Sequence, residues 1–258
     1  MIDLHSHILP RIDDGSRDLA ESLAIARAAL DDGIGTVAAT PHVREDYPTT
    51  ADEMERSVDE LRAALAAENI GLELLTGGEI ALDELERLSA DDLRRFGLGG
   101  NPAFLLLETP YLGWPLAFGE IVERLVTAGT TPVIAHPERN ADVRSSPERL
   151  VDLVERGALV QVTAASLDGR LGRAVRRCAE DLIRVGIVHM LASDAHSPAV
   201  RTIGLHAARD AVADPVLARW LTRDVPAAIV RAEPIPPRPP ALHGRLRDRV
   251  HVRRRAGG

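Results

Sequence analysis

The sequence predicts an α/β fold, a distorted TIM-like barrel of seven β/α units, and two observations support this prediction. First, seven short runs rich in leucine and β-branched residues alternate with longer stretches of helical periodicity. Strand–helix alternation of this kind produces parallel sheets with crossover helices. Second, the seven units occupy about 200 of the 258 residues, which suits a closed or distorted barrel better than an open sheet. An open, doubly wound sheet remains the alternative topology.

The predicted strands and helices follow one another along the chain. The strands cover residues 2–5, 36–40, 72–76, 104–109, 132–136, 159–163 and 188–193. Apolar residues three or four positions apart indicate two early helices, from Leu19 to Leu30 and from Val58 to Leu65. Later helices are predicted over residues 115–128, 147–156, 171–185 and 198–213. Beyond Ala213 the helical pattern decays.

Composition narrows the class of protein. The formal charge of −8, from 31 basic and 39 acidic residues, argues against a nucleic-acid-binding surface over the whole molecule. No run approaches the roughly 18 apolar residues of a membrane span, and the first residues do not resemble a signal peptide. The single cysteine, Cys178, excludes an intramolecular disulfide and is consistent with a reducing cytoplasm.

The C-terminal region differs from the rest of the chain. Five prolines between residues 234 and 240 disfavour a helix or a central strand, and residues 245–258 contain six arginines. We therefore predict one domain over residues 1–231 and a flexible tail rich in proline and arginine over residues 232–258. The tail is interpreted as solubilising, and the alternative is a basic patch that touches an acidic membrane surface or partner.

Ionisable residues stand at the ends of the predicted strands. They are His5 and His7 at the first strand, His42 after the second, Glu79 after the third, Glu108 at the fourth, His136 at the fifth, and Asp194 and His196 at the seventh. The carboxyl ends of parallel strands form the functional face of α/β barrels, so these side chains are expected to converge there. The remaining histidines, His189, His206, His243 and His251, are interpreted as ordinary core or surface residues.

The spacing of these residues predicts a metal site. His5 and His7 are two positions apart on a strand, so both point to one face and can bind one ion together. Asp194 and His196 repeat this arrangement. Mixed imidazole and carboxylate ligands suit zinc, manganese or iron rather than calcium. Eight ligands exceed the needs of one ion, so two or three ions about 3.5–4 Å apart are expected to share them, with Glu79 as a bridge.

At these residues the sequence resembles the polymerase-and-histidinol-phosphatase (PHP) superfamily. It is more closely similar to the metal-dependent protein-tyrosine phosphatases of bacterial capsular-polysaccharide synthesis. The matching segments are MIDLHSHILPRIDDGS, ATPHV, GGEI, LLLETP, AHPERN, TAASLDG and ASDAH, in order over residues 1–196. HxH at a first strand is shared by many metallohydrolases, whereas HSHILPxIDDG together with AHPER is specific to one family. The resemblance implies a barrel of the PHP type over residues 1–231.

The resemblance also implies site residues. Nine positions match the ligands of a trinuclear site: His5, His7, Asp14, His42, Glu79, Glu108, His136, Asp194 and His196. Asp14 enters this set only through the resemblance, because its spacing alone indicates a turn residue before a glycine. Arg139 and Arg201 match positions that bind the substrate phosphate. Arg11 departs from the family pattern by replacing the usual glycine, and Val43 by replacing a common histidine.

The activity implied by the resemblance is hydrolysis of phosphotyrosine with two or three divalent ions, expected to be Mn²⁺, with iron or zinc as alternatives. A water that bridges two ions has a lowered pKa, so a metal-bridging hydroxide is the expected nucleophile. The planar guanidinium groups of Arg139 and Arg201 are expected to hold the phosphoryl oxygens. Phenol, with a pKa of about 10, leaves more easily than an alkyl alcohol, so a strong general acid is less necessary.

Other classes of protein share part of this pattern. A small-molecule phosphatase such as histidinol phosphatase has the same ligands, and a non-catalytic, metal-binding accessory domain of a polymerase is also compatible with them. A carbamylated-lysine amidohydrolase also begins with HxH, but this chain has no lysine. Cys178 and Arg184 have the C-x5-R spacing of thiol-dependent tyrosine phosphatases. The five residues between them include no glycine and two acids, so Cys178 is interpreted as a buried apolar residue.

The resemblance implies a phosphotyrosine protein as the partner, namely a membrane-associated bacterial tyrosine kinase of capsule and exopolysaccharide synthesis. The expected location is the cytoplasm, with recruitment to the inner face of the membrane assisted by residues 245–255. A homo-oligomer is an open alternative. The loop over residues 111–118 holds aromatic residues beside Glu108, and it is expected either to line a site for an aromatic substrate or to pack within itself.

Overall fold

A computed structural model describes residues 1–110, 112–198 and 202–240, and ten strands among them form two sheets. The strands are β1 (Ile2–Ser6), β2 (Thr36–Ala39), β3 (His42–Arg44), β4 (Tyr47–Pro48), β5 (Glu73–Leu75), β6 (Glu79–Ala81), β7 (Phe104–Glu108), β8 (Thr131–Ala135), β9 (Leu159–Thr163) and β10 (Met190–Ala192). The smaller sheet has the order β1-β2-β5, and the larger has the order β10-β9-β8-β7-β6-β3-β4. Strands β3 and β4 pair antiparallel, and the other pairs are parallel.

Helices occupy the connections between the strands. They are α1 (Leu19–Asp31), α2 (Ala51–Ala67), α3 (Ala90–Arg95), α4 (Phe118–Thr127), α5 (Ala141–Ser145), α6 (Glu148–Glu155), α7 (Ala164–Leu167), α8 (Arg173–Val185), α9 (Leu205–Ala211), α10 (Pro215–Arg219) and α11 (Val225–Val230). Side chains fix several of their starts. Helix α2 begins with a capping box, in which Thr50 and Glu53 each accept from the other's backbone N–H. The fold is thus a mixed α/β fold with a largely parallel sheet.

The two sheets approach each other at the carboxyl end of β1. The backbone N–H of His7 donates to Ala195 at 2.8 Å, and that of Asp194 donates to His5 at 2.8 Å. On the other side of β1, the N–H of Thr40 donates to Ser6 at 2.9 Å. The segment that follows β10 therefore lies against the end of β1, and the strand ends of both sheets meet in one region.

The seven predicted strands are present with small differences in their ends, but three strands were not predicted. Strands β3, β4 and β6 have only two or three residues each, too few for a periodic pattern to be recognised. Glu79 follows the third predicted strand, as expected, but it also begins the short strand β6. In the register of β6, Glu79 is paired with His42 of β3, which places two proposed ligands side by side.

Two helix predictions were wrong. Of the helix predicted over residues 198–213, the described residues form only α9, which begins at Leu205 after Gly204, whose φ of 150° does not fit a helix. The decay predicted beyond Ala213 is also wrong, because α10, a π-helical turn (Trp220–Asp224) and α11 follow one another. The π turn shifts the phase of the buried face, which includes Trp220, Leu221 and Val225. A search for one regular 3.6-residue period therefore misses this helical segment.

The core is built almost wholly from aliphatic side chains. The largest fully buried side chains include Phe96, Phe118, Leu4, Ile8 and Ile80. In the part of the chain that the structure describes, no helix is both long and apolar enough to cross a membrane.

The first residues of the predicted tail contact the domain. Trp220 donates from Nε1 to the carbonyl oxygen of Pro236 at 3.0 Å. Arg238 donates to the carbonyl oxygens of Val188 at 2.7 Å and Ile183 at 2.9 Å. The division at residue 231 stays a prediction, and residues 245–255 lie outside the described residues.

Candidate metal centre

His5 and His7 form one wall of the site, and their rings are oriented from behind. Nε2 of His5 lies 3.3 Å from Nε2 of His7. Nδ1 of His5 lies 3.1 Å from Oε1 of Gln161, and Nδ1 of His7 lies 2.7 Å from Oδ2 of Asp13. Amide and carboxylate oxygens only accept, so each Nδ1 donates, and each Nε2 faces the site, where the neutral ring would offer its lone pair to an ion.

Glu79 lies at the centre of the cluster. Its Oε2 is 3.3 Å from Nε2 of both His5 and His7, and 3.1 Å from Nδ1 of His42. Its Oε1 is 2.7 Å from Nε2 of His136. One carboxylate that is fully buried therefore faces four imidazole rings, which come from β1 and the residue after it, from β3 and from the turn after β8.

Asp194 lies beside the rings of His5 and His7. Its Oδ1 lies 3.4 Å from Nε2 of His5 and 3.4 Å from Nε2 of His7. Asp194 and His136 have positive φ angles, 52° and 33°, which residues other than glycine rarely adopt. Such backbone conformations concentrate at functional sites, where the surrounding structure holds them in place.

The structure brings all nine residues of the proposed ligand set together. Four groups offer ligand atoms that lie within 4.8 Å of one another: His7, Asp14, His42 and His196; His5, Glu79 and His136; His5, His7 and Asp194; and His42, Glu79 and Glu108. Asp14, the residue that spacing alone did not indicate, is the exposed member of the set, and the other eight are buried. Several residues belong to more than one group, as expected when neighbouring ions share ligands.

The buried donor atoms fit divalent cations. Both carboxylate oxygens of Glu79 and Nδ1 of His42 are buried without a hydrogen bond of normal geometry to any residue that the structure describes. Such atoms are costly unless another partner satisfies them. Donors bound at about 2.1 Å to one ion lie about 3.0–3.4 Å from each other. The separations of 3.3 and 3.4 Å around His5 and His7 match these values.

The charges of the cluster follow from burial and close pairing. Burial alone raises the pKa of Glu79, but His5 and His136 outweigh it and hold that pKa well below its usual value. Burial, followed by the charge of Arg139, lowers the pKa of His136 to about 4, so this ring is a neutral donor at pH 7. Burial lowers the pKa of His42, but the close carboxylates of Asp14 and Glu79 raise it to about 9. A cation that binds at His42 must therefore displace a proton.

Of the two arginines proposed for phosphate binding, the structure describes only Arg139. Arg139 is largely buried at the edge of the cluster, where Nη2 donates to Oγ1 of Thr163 at 2.9 Å and contacts the carboxylate of Asp194. Arg201 lies outside the described residues. The geometry therefore places one guanidinium group beside the proposed ligands.

The sequence analysis missed three residues that orient the site: Asp13, Gln161 and Arg44. The guanidinium group of Arg44 lies 3.1 Å from Oε1 of Glu108. Arg44 is two positions from His42 in β3 and so shares its side of that strand, but the strand itself was not predicted. Asp13 and Gln161 gave no signal either, because neither stands at a predicted strand end.

Two aromatic residues of the loop over residues 111–118 pack against each other and against the core. Phe118 is fully buried, and its ring centroid lies 5.2 Å from that of Trp114. Tyr111 lies outside the described residues. Tyr47, from a hairpin that was not predicted, is nearer to the cluster, since its ring stacks on His42 with centroids 5.8 Å apart.

Cys178 has the structural role that the sequence analysis assigned to it. It lies in α8 with 8% of its surface exposed. Burial, followed by the charge of Glu138, raises the pKa of its thiol to about 12. A thiol with so high a pKa is not a nucleophile at neutral pH.

The fold and the site define an α/β protein with a candidate polynuclear metal centre of histidine and carboxylate ligands. A family model described as capsular polysaccharide synthesis, CpsB/CapC, matches residues 1–223. The chain therefore belongs to the CpsB/CapC family, and the resemblance is confirmed.

Individual relatives agree with this assignment. The chain is 39% identical over 209 residues to the tyrosine-protein phosphatase YwqE of Bacillus subtilis, covering 80% of each chain. It is 27% identical over 210 residues to the tyrosine-protein phosphatase CpsB of Streptococcus agalactiae, covering 78% of this chain and 85% of the relative. A solved chain from crystal structures of YwqE from Bacillus subtilis and CpsB from Streptococcus pneumoniae, described as unique metal-dependent tyrosine phosphatases, superposes with a TM-score of 0.85 at 34% identity. That match covers 93% of this chain and 100% of the solved chain.

Proposed function

We propose that this chain is a metal-dependent protein-tyrosine phosphatase, a phosphomonoester hydrolase that acts in capsule or exopolysaccharide synthesis. The observation that carries the proposal is the position of Glu79, a buried carboxylate surrounded by the rings of His5, His7, His42 and His136. The relatives named as tyrosine-protein phosphatases support the choice of reaction.

The nine clustered residues are proposed to hold two or three divalent ions. The group His7, Asp14, His42 and His196 would hold one ion. The groups His5, Glu79, His136 and His5, His7, Asp194 share His5 and would hold a second, and His42, Glu79 and Glu108 would complete a third. Mn²⁺ is the proposed metal, with iron and zinc as alternatives. Bound ions would neutralise the phosphate and lower the pKa of water at the site.

The protein's own groups orient and neutralise the substrate. Arg139 is proposed to bind a phosphoryl oxygen, because its guanidinium group already lies at the rim of the cluster, beside Thr163 and Asp194. Arg201 is proposed to bind a second oxygen. A planar guanidinium group can donate two parallel hydrogen bonds to a phosphate and so fixes its orientation as well as its charge.

The rings of His5 and His7 are held in place by hydrogen-bond acceptors behind them. Gln161 accepts from His5, and Asp13 accepts from His7. Asp13 also accepts from the backbone N–H groups of Gly15 and His42. Asp13 therefore couples the loop after β1 to the start of β3, which keeps His7 and His42 at a fixed separation.

The two sheets are proposed to belong to one distorted (β/α)7 barrel of the PHP type within a phosphatase domain over residues 1–231. The hydrogen bonds from His7 to Ala195 and from Asp194 to His5 support this proposal, since they join β1 to the segment after β10. The proposed substrate is a phosphotyrosine protein, namely a membrane-associated bacterial tyrosine kinase. The proposed location is the cytoplasm, with recruitment to the membrane by the basic segment 245–255, and self-association remains open.

The proposed activity can be tested by comparing two substrates on metal-loaded protein. A phosphotyrosyl peptide should be hydrolysed with a higher kcat/KM than histidinol phosphate. Faster turnover of histidinol phosphate would instead assign the chain to the small-molecule phosphatases. No turnover of either substrate by protein that contains metal would favour a non-catalytic metal-binding domain.

A further inference from the structure

A cavity lies at the amino end of β1, the opposite end of that strand from the candidate metal centre. It has a volume of about 530 Å³ and is bordered by Met1 and Ile2 at the start of β1 and by Gly33 and Gly35 before β2. His5 and His7 stand at the other end of β1. Cavities of roughly 300–1,000 Å³ are typical of small-ligand sites, so this one is large enough for a small molecule.

The remaining wall of this cavity is strongly basic. Arg219, Arg223, Ala227 and Arg231 recur four positions apart along the helical segment from α10 to α11, and all four line the cavity. Side chains at this spacing are neighbours on one helical face, and like charges there repel one another. The whole chain has a net charge of −8, so this basic surface is a local feature that composition does not explain.

Acidic groups in the lining offset only part of this charge. Asp224 lies 3.1 Å from Nε of Arg219, and it is the one acidic residue among those that line the cavity in the described chain. Arg223 and Arg231 are exposed and form no ion pair within residues 1–110, 112–198 and 202–240. Two guanidinium groups eight residues apart on one segment thus remain available to an external anion.

We propose that this cavity binds a phosphate-bearing anion through Arg223 and Arg231. Guanidinium forks bind phosphate oxygens in a bidentate manner, which favours phosphate over a simple halide. The side chains of Ile2 and Ala227 and the open backbone at Gly35, where a side chain would meet nothing within 4 Å, leave room for an attached organic group. The anion can be a soluble phosphate compound or a phospholipid headgroup, since both present the same chemistry.

Binding of two probes to metal-loaded protein tests this proposal. Inorganic pyrophosphate is titrated by calorimetry, and vesicles of phosphatidylglycerol are compared with vesicles of phosphatidylcholine by co-sedimentation. The test variant is Arg223→Gln/Arg231→Gln. The control variant is Arg94→Gln/Arg176→Gln, which removes the same charge from exposed positions on α3 and α8. Turnover of a small aryl phosphate by all three proteins monitors the metal centre, which also binds phosphate.

The test variant is expected to bind one probe at least about tenfold more weakly than wild type, as loss of charge-assisted hydrogen bonds predicts. The control variant should bind as wild type does, and aryl phosphate turnover should be equal in all three proteins. Loss for pyrophosphate alone identifies a soluble ligand, and loss for anionic vesicles alone identifies a lipid headgroup. Equal binding of both probes by all three proteins would overturn the proposal.

A charge-conserving variant distinguishes bidentate hydrogen bonding by the two guanidinium groups from electrostatic attraction alone. Its unfolding midpoint also shows whether the protein is still folded. Arg223→Lys/Arg231→Lys keeps both charges but loses bidentate geometry. We expect it to bind the responding probe more weakly than wild type, with an unchanged unfolding midpoint. Binding equal to that of wild type would contradict bidentate phosphate binding by Arg223 and Arg231.

Discussion

Oε1 of Glu79 lies 2.7 Å from Nε2 of His136, and its Oε2 lies 3.1 Å from Nδ1 of His42. The two oxygens of one buried carboxylate therefore face rings that belong to different groups of candidate ligands. This arrangement is the one expected of a bridging ligand between neighbouring ions.

Replacing Glu79 by glutamine keeps the shape of the side chain and removes its charge. We expect metal content to fall and kcat/KM for a phosphotyrosyl peptide to drop by roughly 100-fold or more, since even groups that only orient ligands are worth about 10–100-fold. Metal analysis and steady-state kinetics measure the two effects. Glu73→Gln is the control, because Glu73 is exposed on β5. Unchanged metal content and turnover in Glu79→Gln would contradict the ligand assignment.

Replacing Arg139 by lysine should separate substrate binding from metal binding. Lysine keeps the positive charge but has no planar fork, so kcat/KM for the peptide should fall by about 10–100-fold. Metal content should stay near the wild-type value. Arg176→Lys, on the exposed face of α8, should have wild-type kinetics. Wild-type kinetics in Arg139→Lys would exclude a role for Arg139 in binding phosphate.

His189 predicts sensitivity of the fold to acid. Burial, followed by the charge of Arg238, lowers the pKa of His189 to about 4, and its Nδ1 accepts from the N–H of Val160. Because folding lowers the pKa of His189, this ring is protonated in the unfolded chain at a higher pH than in the folded chain. The stability from neutral His189 is therefore complete above about pH 6.5 and is lost as pH falls towards 4.

His189→Asn retains an acceptor but cannot be protonated in this range. Between pH 7 and pH 4.5, the variant should lose on the order of 1–2 kcal/mol less free energy of unfolding than wild type. Urea unfolding at the two pH values measures the difference. Equal losses in both proteins would show that His189 does not titrate with unfolding.

Cys178→Ser should leave phosphatase turnover close to that of wild type. The thiol is buried in α8 with a pKa raised to about 12, so it supplies no thiolate at neutral pH. Burying a hydroxyl in its place should cost about 1–2 kcal/mol of stability. Thiol alkylation of native protein should not inhibit it. A folded, metal-loaded Cys178→Ser protein without activity would contradict this prediction and support the thiol-dependent mechanism.

The sequence predicted the strands with long apolar runs and the histidines at their ends, because period and strand-end position are local properties. It did not predict that Glu79 begins a strand, because β6 has only three residues. Gln161 could not be assigned either, since its role depends on β9 lying beside the turn at His136 in three dimensions. The helical segment after Pro215 was missed because its π turn breaks the periodic pattern. Asp14 could be named only through family resemblance, and Asp13, one position earlier, proved to orient His7.

The most direct test measures metal content and phosphotyrosine turnover on the same preparations. Protein stripped by chelation should hold no metal and show near-background turnover. Reconstitution with Mn²⁺ should restore two or three ions per chain together with activity, because the buried carboxylate and imidazole donors need a cation to act together. Full turnover by metal-stripped protein would contradict the proposed metal centre.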